Sequence, residues 1–316
     1  MDTALLGLHH LSAIVDDPQD NLNFYTQVLG LRLVKQTVNF DDPYTYHLYY
    51  GDEQGRPGTL VTFFPWPGGR RGGHGHGEIS AMAFAVPTGA LAFWQQHLAE
   101  VGWHSGGPYQ RDGHGVLTLY DPAGLLLELV EQPVAAPQPA RAGSEIAPQA
   151  AIQRLLGVTL TLAQPEPSAA FLVDALGFRR LGGTGERYAL GEGETLAVVE
   201  LNSRPDTPRA DISVGSVHHV AWRVRDDAAL VEWQGSLRSH GAAVTALRDR
   251  QYFHSIYFRE PGGVLFELAT DPPGFTVDEA PADLGTHLQL PPWLEERRGQ
   301  IESQLPPLIV PQPAAR

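Results

Sequence analysis

Asp121-Pro122-Ala123-Gly124-Leu125-Leu126-Leu127-Glu128-Leu129 returns later in the chain as Glu260-Pro261-Gly262-Gly263-Val264-Leu265-Phe266-Glu267-Leu268. Each copy runs from an acidic residue through a Pro/Gly turn into an apolar segment carrying one Glu, the pattern of a turn feeding a strand. Upstream of them, Val28-Leu29-Gly30-Leu31-Arg32-Leu33 and Ala175-Leu176-Gly177-Phe178-Arg179-Arg180 are also alike, each closing a helix with Gly at its C-terminal stop. Repetition on this scale implies two related halves. Within each half a shorter cycle recurs, a strand and a helix followed by strands separated by Gly- or Pro-bearing turns. Its four copies begin near Gly7, Glu78, Leu155 and Ser216.

In the first copy Leu8 to Val15 reads as a strand and Pro18 to Leu29 as a helix, with Leu22, Tyr25 and Leu29 at helical spacing. Strands follow near Thr45 to Tyr50 and Thr59 to Phe64. The last copy repeats the order with Val217 to Val224, a helix over Ala228 to His240, then Phe253 to Phe258 and Gly263 to Ala269. Pro133 to Ala151, rich in Pro, Ala and Gln and without periodicity, is the expected linker. The expected organisation is an N-terminal domain over 1–132 holding modules one and two, that linker over 133–151, and a C-terminal domain over 152–284 holding modules three and four. A strap over 285–316, amphipathic around Trp293, Leu294, Ile301 and Leu305, then packs on the body.

Composition narrows the function. The chain has 316 residues, 42% of them hydrophobic, enough to bury two ordinary cores. No window reaches the apolar length of a membrane span, and the N-terminus lacks the pattern of a signal peptide, so a cytoplasmic protein is expected. With no cysteine, disulfides, thiolate nucleophiles and Cys-based metal sites are excluded together. A formal charge of −14 argues against nucleic acid or an anionic membrane as partner. A homo-oligomer is compatible with all of this.

Two His-His pairs open two apolar runs, Leu8-His9-His10-Leu11 and Val217-His218-His219-Val220, and Glu267 answers the second. Two imidazoles and one carboxylate are the usual protein half of a non-haem Fe(II) site. Neighbours on a regular strand point to opposite faces, so a metal takes one member of each pair unless the strand is locally irregular. Which member is left open by the spacing.

The cycle with His on a first strand and Glu on a last strand resembles the vicinal oxygen chelate superfamily over about residues 5 to 275. Three stretches are similar to its hydroquinone ring-cleaving dioxygenase branch in particular: Arg32-Leu33-Val34-Lys35-Gln36-Thr37-Val38, Gly58-Thr59-Leu60-Val61-Thr62-Phe63-Phe64-Pro65 and Tyr252-Phe253-His254-Ser255-Ile256-Tyr257-Phe258-Arg259-Glu260-Pro261-Gly262-Gly263. The resemblance implies an α+β fold of four βαβββ modules in two domains, paired into cupped sheets, the glyoxalase-like fold. It selects the second histidine of each pair, giving His10, His219 and Glu267 as ligands of Fe(II), with Mn(II) as the alternative ion. It further implies that Arg250 and Tyr257 act around the metal, that His9 and His218 handle protons near the substrate, and that Ser12 supplies a hydroxyl. The implied reactants are a small aromatic diol of hydroquinone type and dioxygen.

Aligning the repeats puts Gly157 where His10 would be and Ser80 near the position of His219. Modules two and three therefore lack the imidazole, and modules one and four are expected to form the active cup. Glu128 and Glu200 fall in the vacant cup, where a structural role is expected. Two other function classes are set against the dioxygenase: a glyoxalase-like isomerase or lyase would bring Glu128 to the metal, and a metal-free binding protein of the bleomycin-resistance kind would leave His10, His219 and Glu267 apart. Two further patterns fail on inspection. Gly68 to Gly77 lacks the Gly-Lys-Ser/Thr ending of a phosphate cradle and is expected to be a flexible connection, and Gly215-Ser216 falls short of a nucleophile elbow.

Overall fold

In the first module, Asp17 caps the helix by accepting hydrogen bonds from Gln19 N and Asp20 N at 2.7 and 2.9 Å, and Pro18 occupies the first turn. The computed structural model describes residues 4–310 apart from 135, 139, 140, 142 and 184. Module one comprises β1 (Leu8–Val15), α1 (Pro18–Asn23), β2 (Arg32–Asn39), β3 (Asp42–Gly51) and β4 (Leu60–Pro65). The helix expected to reach Leu29 leaves α geometry at Asn23 and continues as one π-helical turn, Phe24–Val28, with Leu29 N donating to Phe24 O at 3.0 Å. The widened turn accommodates an extra residue and leaves Tyr25 fully buried.

Module two is β5 (Glu78–Pro87), α2 (Leu91–Glu100), β6 (Ser105–Arg111), β7 (His114–Tyr120) and β8 (Leu126–Gln132). Module three is β9 (Arg154–Leu162), α3 (Glu166–Asp174), β10 (Arg179–Arg180), β11 (Glu186–Leu190) and β12 (Ala197–Ser203). Module four is β13 (Ser216–Val224), α4 (Asp227–Ser239), β14 (Arg248–Asp249), β15 (Phe253–Arg259) and β16 (Leu265–Pro273). In every module the first strand lies parallel to the last, β1 with β4, β5 with β8, β9 with β12 and β13 with β16. This is the α+β, four-module βαβββ architecture.

Pairing between modules makes the cups. β1 runs antiparallel to β13, joining modules one and four, and β5 runs antiparallel to β9, joining modules two and three. A single bridge, Val217 to Ile79, links β13 to β5 and makes one continuous sheet. Each cup thus takes one module from either half of the sequence.

The central strand pairs are irregular in a way that decides the site. Between Leu8↔Trp222 and His10↔Ala221 the register advances two residues on β1 for one on β13, so His9 is bulged. Between Ser12↔His219 and Ala13↔Val217 it advances two on β13 for one on β1, so His218 is bulged. The other cup repeats both bulges, at Ser80 between Ile79 and Ala81 and at Leu156 between Leu155 and Gly157. By register, Leu156 and Gly157 are the counterparts of His9 and His10, and Ser80 and Ala81 those of His218 and His219. Ser80, which the repeat alignment puts near the position of His219, lies one residue before the register counterpart Ala81, because module four has one residue more than module two between this strand and the Glu of its last strand.

The Gly-rich connection between modules one and two is not slack. Bridges join Arg71 to Val214, Gly73 to Asp211 and His76 to Arg209, so it lies against the connection between modules three and four. A Cβ on Gly75 would lie 1.9 Å from Pro208 O, so only glycine permits that backbone contact.

The described residues of the expected linker carry no helix or strand, and Ala135, Pro139, Ala140 and Ala142 lie outside the described residues. Beyond module four, α5 (Arg298–Glu302) buries Ile301, with Leu294 and Leu305 beside it. The segment is held to β2 by Gln289 N donating to Gln36 O at 2.8 Å, and Trp293, half exposed, meets Phe40 edge to face. Residues 311–316 of the expected strap lie outside the described residues. In the described residues no helix is long and apolar enough to cross a membrane.

Candidate metal centre and active-site cavity

His10, on β1, His219, on β13, and Glu267, on β16, converge from three adjacent strands at the floor of the cup formed by modules one and four. His219 Nε2 lies 2.8 Å from Glu267 Oε2, His10 Nε2 lies 3.3 Å from the same oxygen, and the two Nε2 atoms are 3.2 Å apart. All three side chains are buried. Ser255 donates to Glu267 Oε1, while Oε2 is buried without any hydrogen-bond donor. A charged oxygen left so costs a few kcal/mol, about 1–3 for a neutral group and more for a carboxylate. A cation would remove that cost. Three donors about 2.1 Å from one ion and at right angles to one another stand about 3.0 Å apart, so the observed separations fit a facial metal site.

The bulges explain how adjacent histidines meet. His9 Nδ1 is 2.9 Å from His10 Nδ1, and His218 Nδ1 is 2.7 Å from His219 Nδ1, contacts that regular alternation would forbid. His9 Nε2 is 3.1 Å from Thr270 O. A carbonyl only accepts, so His9 Nε2 bears the hydrogen. Burial lowers His9 to about 3, so the ring is neutral and its Nδ1 is an acceptor. His10 Nδ1–H must then be the donor, and His10 Nε2 is left with a free lone pair aimed at Glu267 and His219. Burial likewise lowers His218 to about 3 and pushes His219 down.

Above the cluster lies a cavity of about 200 Å³, walled by Phe40, His47, Tyr49, Phe64, Trp66 and Phe253 among others, with Arg250, Tyr257, Asp41 and His218 as further polar groups. A cavity of about 150 Å³ is enough for benzene, so this one suits a single substituted ring. Arg250 Nε donates to Tyr257 OH at 3.1 Å, and its guanidinium lies 5.3 Å from the Tyr257 ring centroid. Burial raises Tyr257, and the Glu267 charge adds to it, so the phenol keeps its proton.

Of the residues expected around the metal, the structure brings Arg250, Tyr257 and His218 to the cavity wall. His9 is placed elsewhere: it is buried behind His10, against Phe253, and takes no part in the wall. Ser12 is also fully buried and off the wall. Its Oγ is 2.7 Å from Thr62 Oγ1, which is 2.8 Å from His47 Nε2, and His47 Nδ1 is 2.9 Å from Tyr49 OH. His47 and Tyr49 went unnoticed in the sequence. Their signal was a two-residue spacing on one strand, which puts both on one face.

Glu128 is nowhere in the cluster. Arg111 grips both its carboxylate oxygens, at 2.9 and 2.6 Å, and approaches Glu200 at 3.5 Å. A guanidinium fills the floor of the second cup.

Modules of this topology, paired so that one cup carries two imidazoles and a carboxylate, define a vicinal oxygen chelate enzyme. The chain belongs to the Glyoxalase/Bleomycin resistance protein/Dioxygenase superfamily, whose model matches residues 7–129 and 154–268. It is 46% identical over 310 residues to a Bacillus subtilis protein named "Putative ring-cleaving dioxygenase MhqO", covering 96% of this chain and 97% of that one. It is 35% identical over 309 residues to the chlorohydroquinone/hydroquinone 1,2-dioxygenase of Sphingobium indicum, covering 93% and 94%. A crystal structure titled "putative dioxygenase" from Bacillus subtilis superposes with TM-score 0.93 at 45% identity, covering 98% of this chain and 99% of that one. Glyoxalase I from Zea mays superposes with TM-score 0.59 at 17% identity over 84% of this chain and 92% of its own, a likeness of fold alone. The relatives make this chain an oxygen-incorporating oxidoreductase, a ring-cleaving dioxygenase.

Proposed function

We propose that the enzyme is an Fe(II)-dependent, extradiol-type dioxygenase that opens a para-hydroquinone ring. The observation that carries this reading is the convergence of His10 Nε2, His219 Nε2 and Glu267 Oε2, with no second carboxylate in the cluster among the described residues, beneath a cavity the size of one aromatic ring. The 35% identical relative named for hydroquinone supports the choice of diol. Bound by these three donors, divalent iron would supply the one-electron chemistry through which a phenol and dioxygen react, and manganese could serve similarly.

The protein's own groups have separable parts. Arg250 holds negative charge on the substrate oxygen, and Tyr257, which keeps its proton, donates a hydrogen bond there. His218, neutral and on the cavity wall, moves a proton through Nε2 while its Nδ1 accepts from His219. His9 instead fixes the tautomer of His10, a positioning role. Ser12 acts through Thr62 by orienting His47. The phenyl and indole walls exclude water from the ring.

The test is anaerobic loading with Fe(II), followed by oxygen uptake with hydroquinone and catechol, each corrected for oxidation without enzyme. Uptake with hydroquinone in clear excess over catechol is expected. H10A, H219A and E267A should each lose both bound metal and uptake. Full oxygen uptake in any of the three would defeat the ligand assignment, and a preference for catechol would defeat the choice of diol.

A further inference from the structure

Glu267, Arg250 and Asp41 are the formally charged side chains of the cavity wall. Glu267 lies at the floor with the two imidazoles, which leaves Arg250 as the cation that faces a bound ring. Its guanidinium is already shared. Nε donates to Tyr257 OH on the inner side, and Nη1 donates to Asp41 Oδ2 at 2.9 Å on the outer side. Asp41 belongs to the turn between β2 and β3 of module one, where its own N–H donates to Asn39 Oδ1 at 3.0 Å. Arg250 comes from module four, between β14 and β15. Its side chain is 21% exposed and that of Asp41 64%, so the pair runs from the interior to the cavity mouth, across the seam between modules. Nothing in the proposed reaction uses Asp41.

We infer, building on the hydroquinone reading, that Asp41 is a specificity-determining residue that turns away para-diols bearing a ring carboxylate while letting uncharged para-diols through. The reason is electrostatic. A ring carboxylate at the mouth finds Nη1 of Arg250 engaged by Asp41 and meets a like charge beside it. An uncharged diol loses nothing by either. Two unit charges about 5 Å apart at a partly exposed site interact strongly enough to change binding by about tenfold, and screening by salt reduces the figure. As a stability element such an exposed ion pair contributes little, which makes selectivity its main measurable consequence.

The test uses the full-length Fe(II)-loaded enzyme, wild type, D41N and D41E, with hydroquinone and 2,5-dihydroxybenzoate. The readout is the ratio of kcat/KM for the carboxylated diol to that for hydroquinone, at low and high salt. Anaerobic dissociation constants are measured beside it. D41N should raise the ratio about tenfold at low salt, mainly through KM for 2,5-dihydroxybenzoate, with a smaller gain at high salt, and D41E should restore the wild-type ratio. An unchanged ratio in D41N overturns the inference. So does a parallel rise for both diols, which would mean that Asp41 is a steric gate. If the wild type takes up no oxygen with hydroquinone, the hydroquinone reading falls by itself. The anaerobic constants then still decide on Asp41, since equal affinity of wild type and D41N for 2,5-dihydroxybenzoate overturns its role.

Discussion

His9 and His10 are adjacent, chemically identical, and placed to do different things. From sequence, alternation along a strand divides each His-His pair into one inward and one outward residue, which limits each pair to a single ligand, leaves the choice to the family resemblance, and misplaces the other ring. The bulges bring both rings to one side, and they depend on how β1 pairs with β13 across more than two hundred residues, for which the local sequence has no signal. His47 escaped notice for a related reason: one histidine among Tyr and Thr on a half-buried strand looks like packing until the cup closes around it. The tautomer argument makes a residue-scale prediction. In H9F the hydrogen on His10 Nδ1 loses its acceptor, and Mn(II) or Fe(II) affinity should fall about 10- to 100-fold, measured by competition with a chelator. H9Q, whose amide can accept from His10 and donate to Thr270 O, should stay within a few-fold of wild type. Equal loss in both variants would refute the tautomer lock.

At the scale of elements, strands and helices were legible wherever periodicity was strong: β1 is the expected Leu8 to Val15, and α4 differs from its expected span by a residue at each end. The first helix was not, because apolar spacing records that Tyr25 faces inward without recording the π-helical turn that takes it there. Tyr25 OH donates to Asp121 Oδ2 at 3.2 Å, and Asp121 Oδ1 accepts from Leu125 N at 2.8 Å, tying module one to the turn before β8. Burial raises Asp121 to about 6, against an ordinary value of 3.8, despite those donors. The folded state therefore binds more protons than the unfolded chain between those values. The resulting stability is complete below pH 3.8 and is lost as pH rises through about 6. Two units correspond to about 3 kcal/mol. Between pH 8 and pH 5 the melting temperature of the wild type should thus rise relative to that of D121N, which has no proton to gain. A constant difference between the two across that range would show that Asp121 does not titrate as argued.

Across the whole molecule, the sequence shows two modules with histidine on the first strand and two without, and the comparison of repeats suggests an active and a vacant cup. What it conceals is why the second cup is closed to metal. The counterparts of His10, His219 and Glu267 are Gly157, Ala81 and Glu128, so two substitutions would nominally rebuild the ligand set. Backbone packing forbids it. A Cβ at Gly157 would lie 2.0 Å from Val198 O, on the parallel neighbour β12, so any side chain must force two central strands apart. Arg111 meanwhile occupies Glu128 with both arms and approaches Glu200 as well, a fixed internal cation in the second cup. The pseudo-twofold molecule has thus filled one cup by charge pairing and left an uncompensated carboxylate oxygen in the other. R111M should lose about 3 kcal/mol, read from urea denaturation, because it leaves Glu128 buried and unpaired. The A81H/G157H variant should be destabilised and still bind one equivalent of metal per chain. If the folded double variant instead took a second equivalent, the strand spacing at Val198 would have to be adjustable, and the difference between the cups would rest on side chains alone.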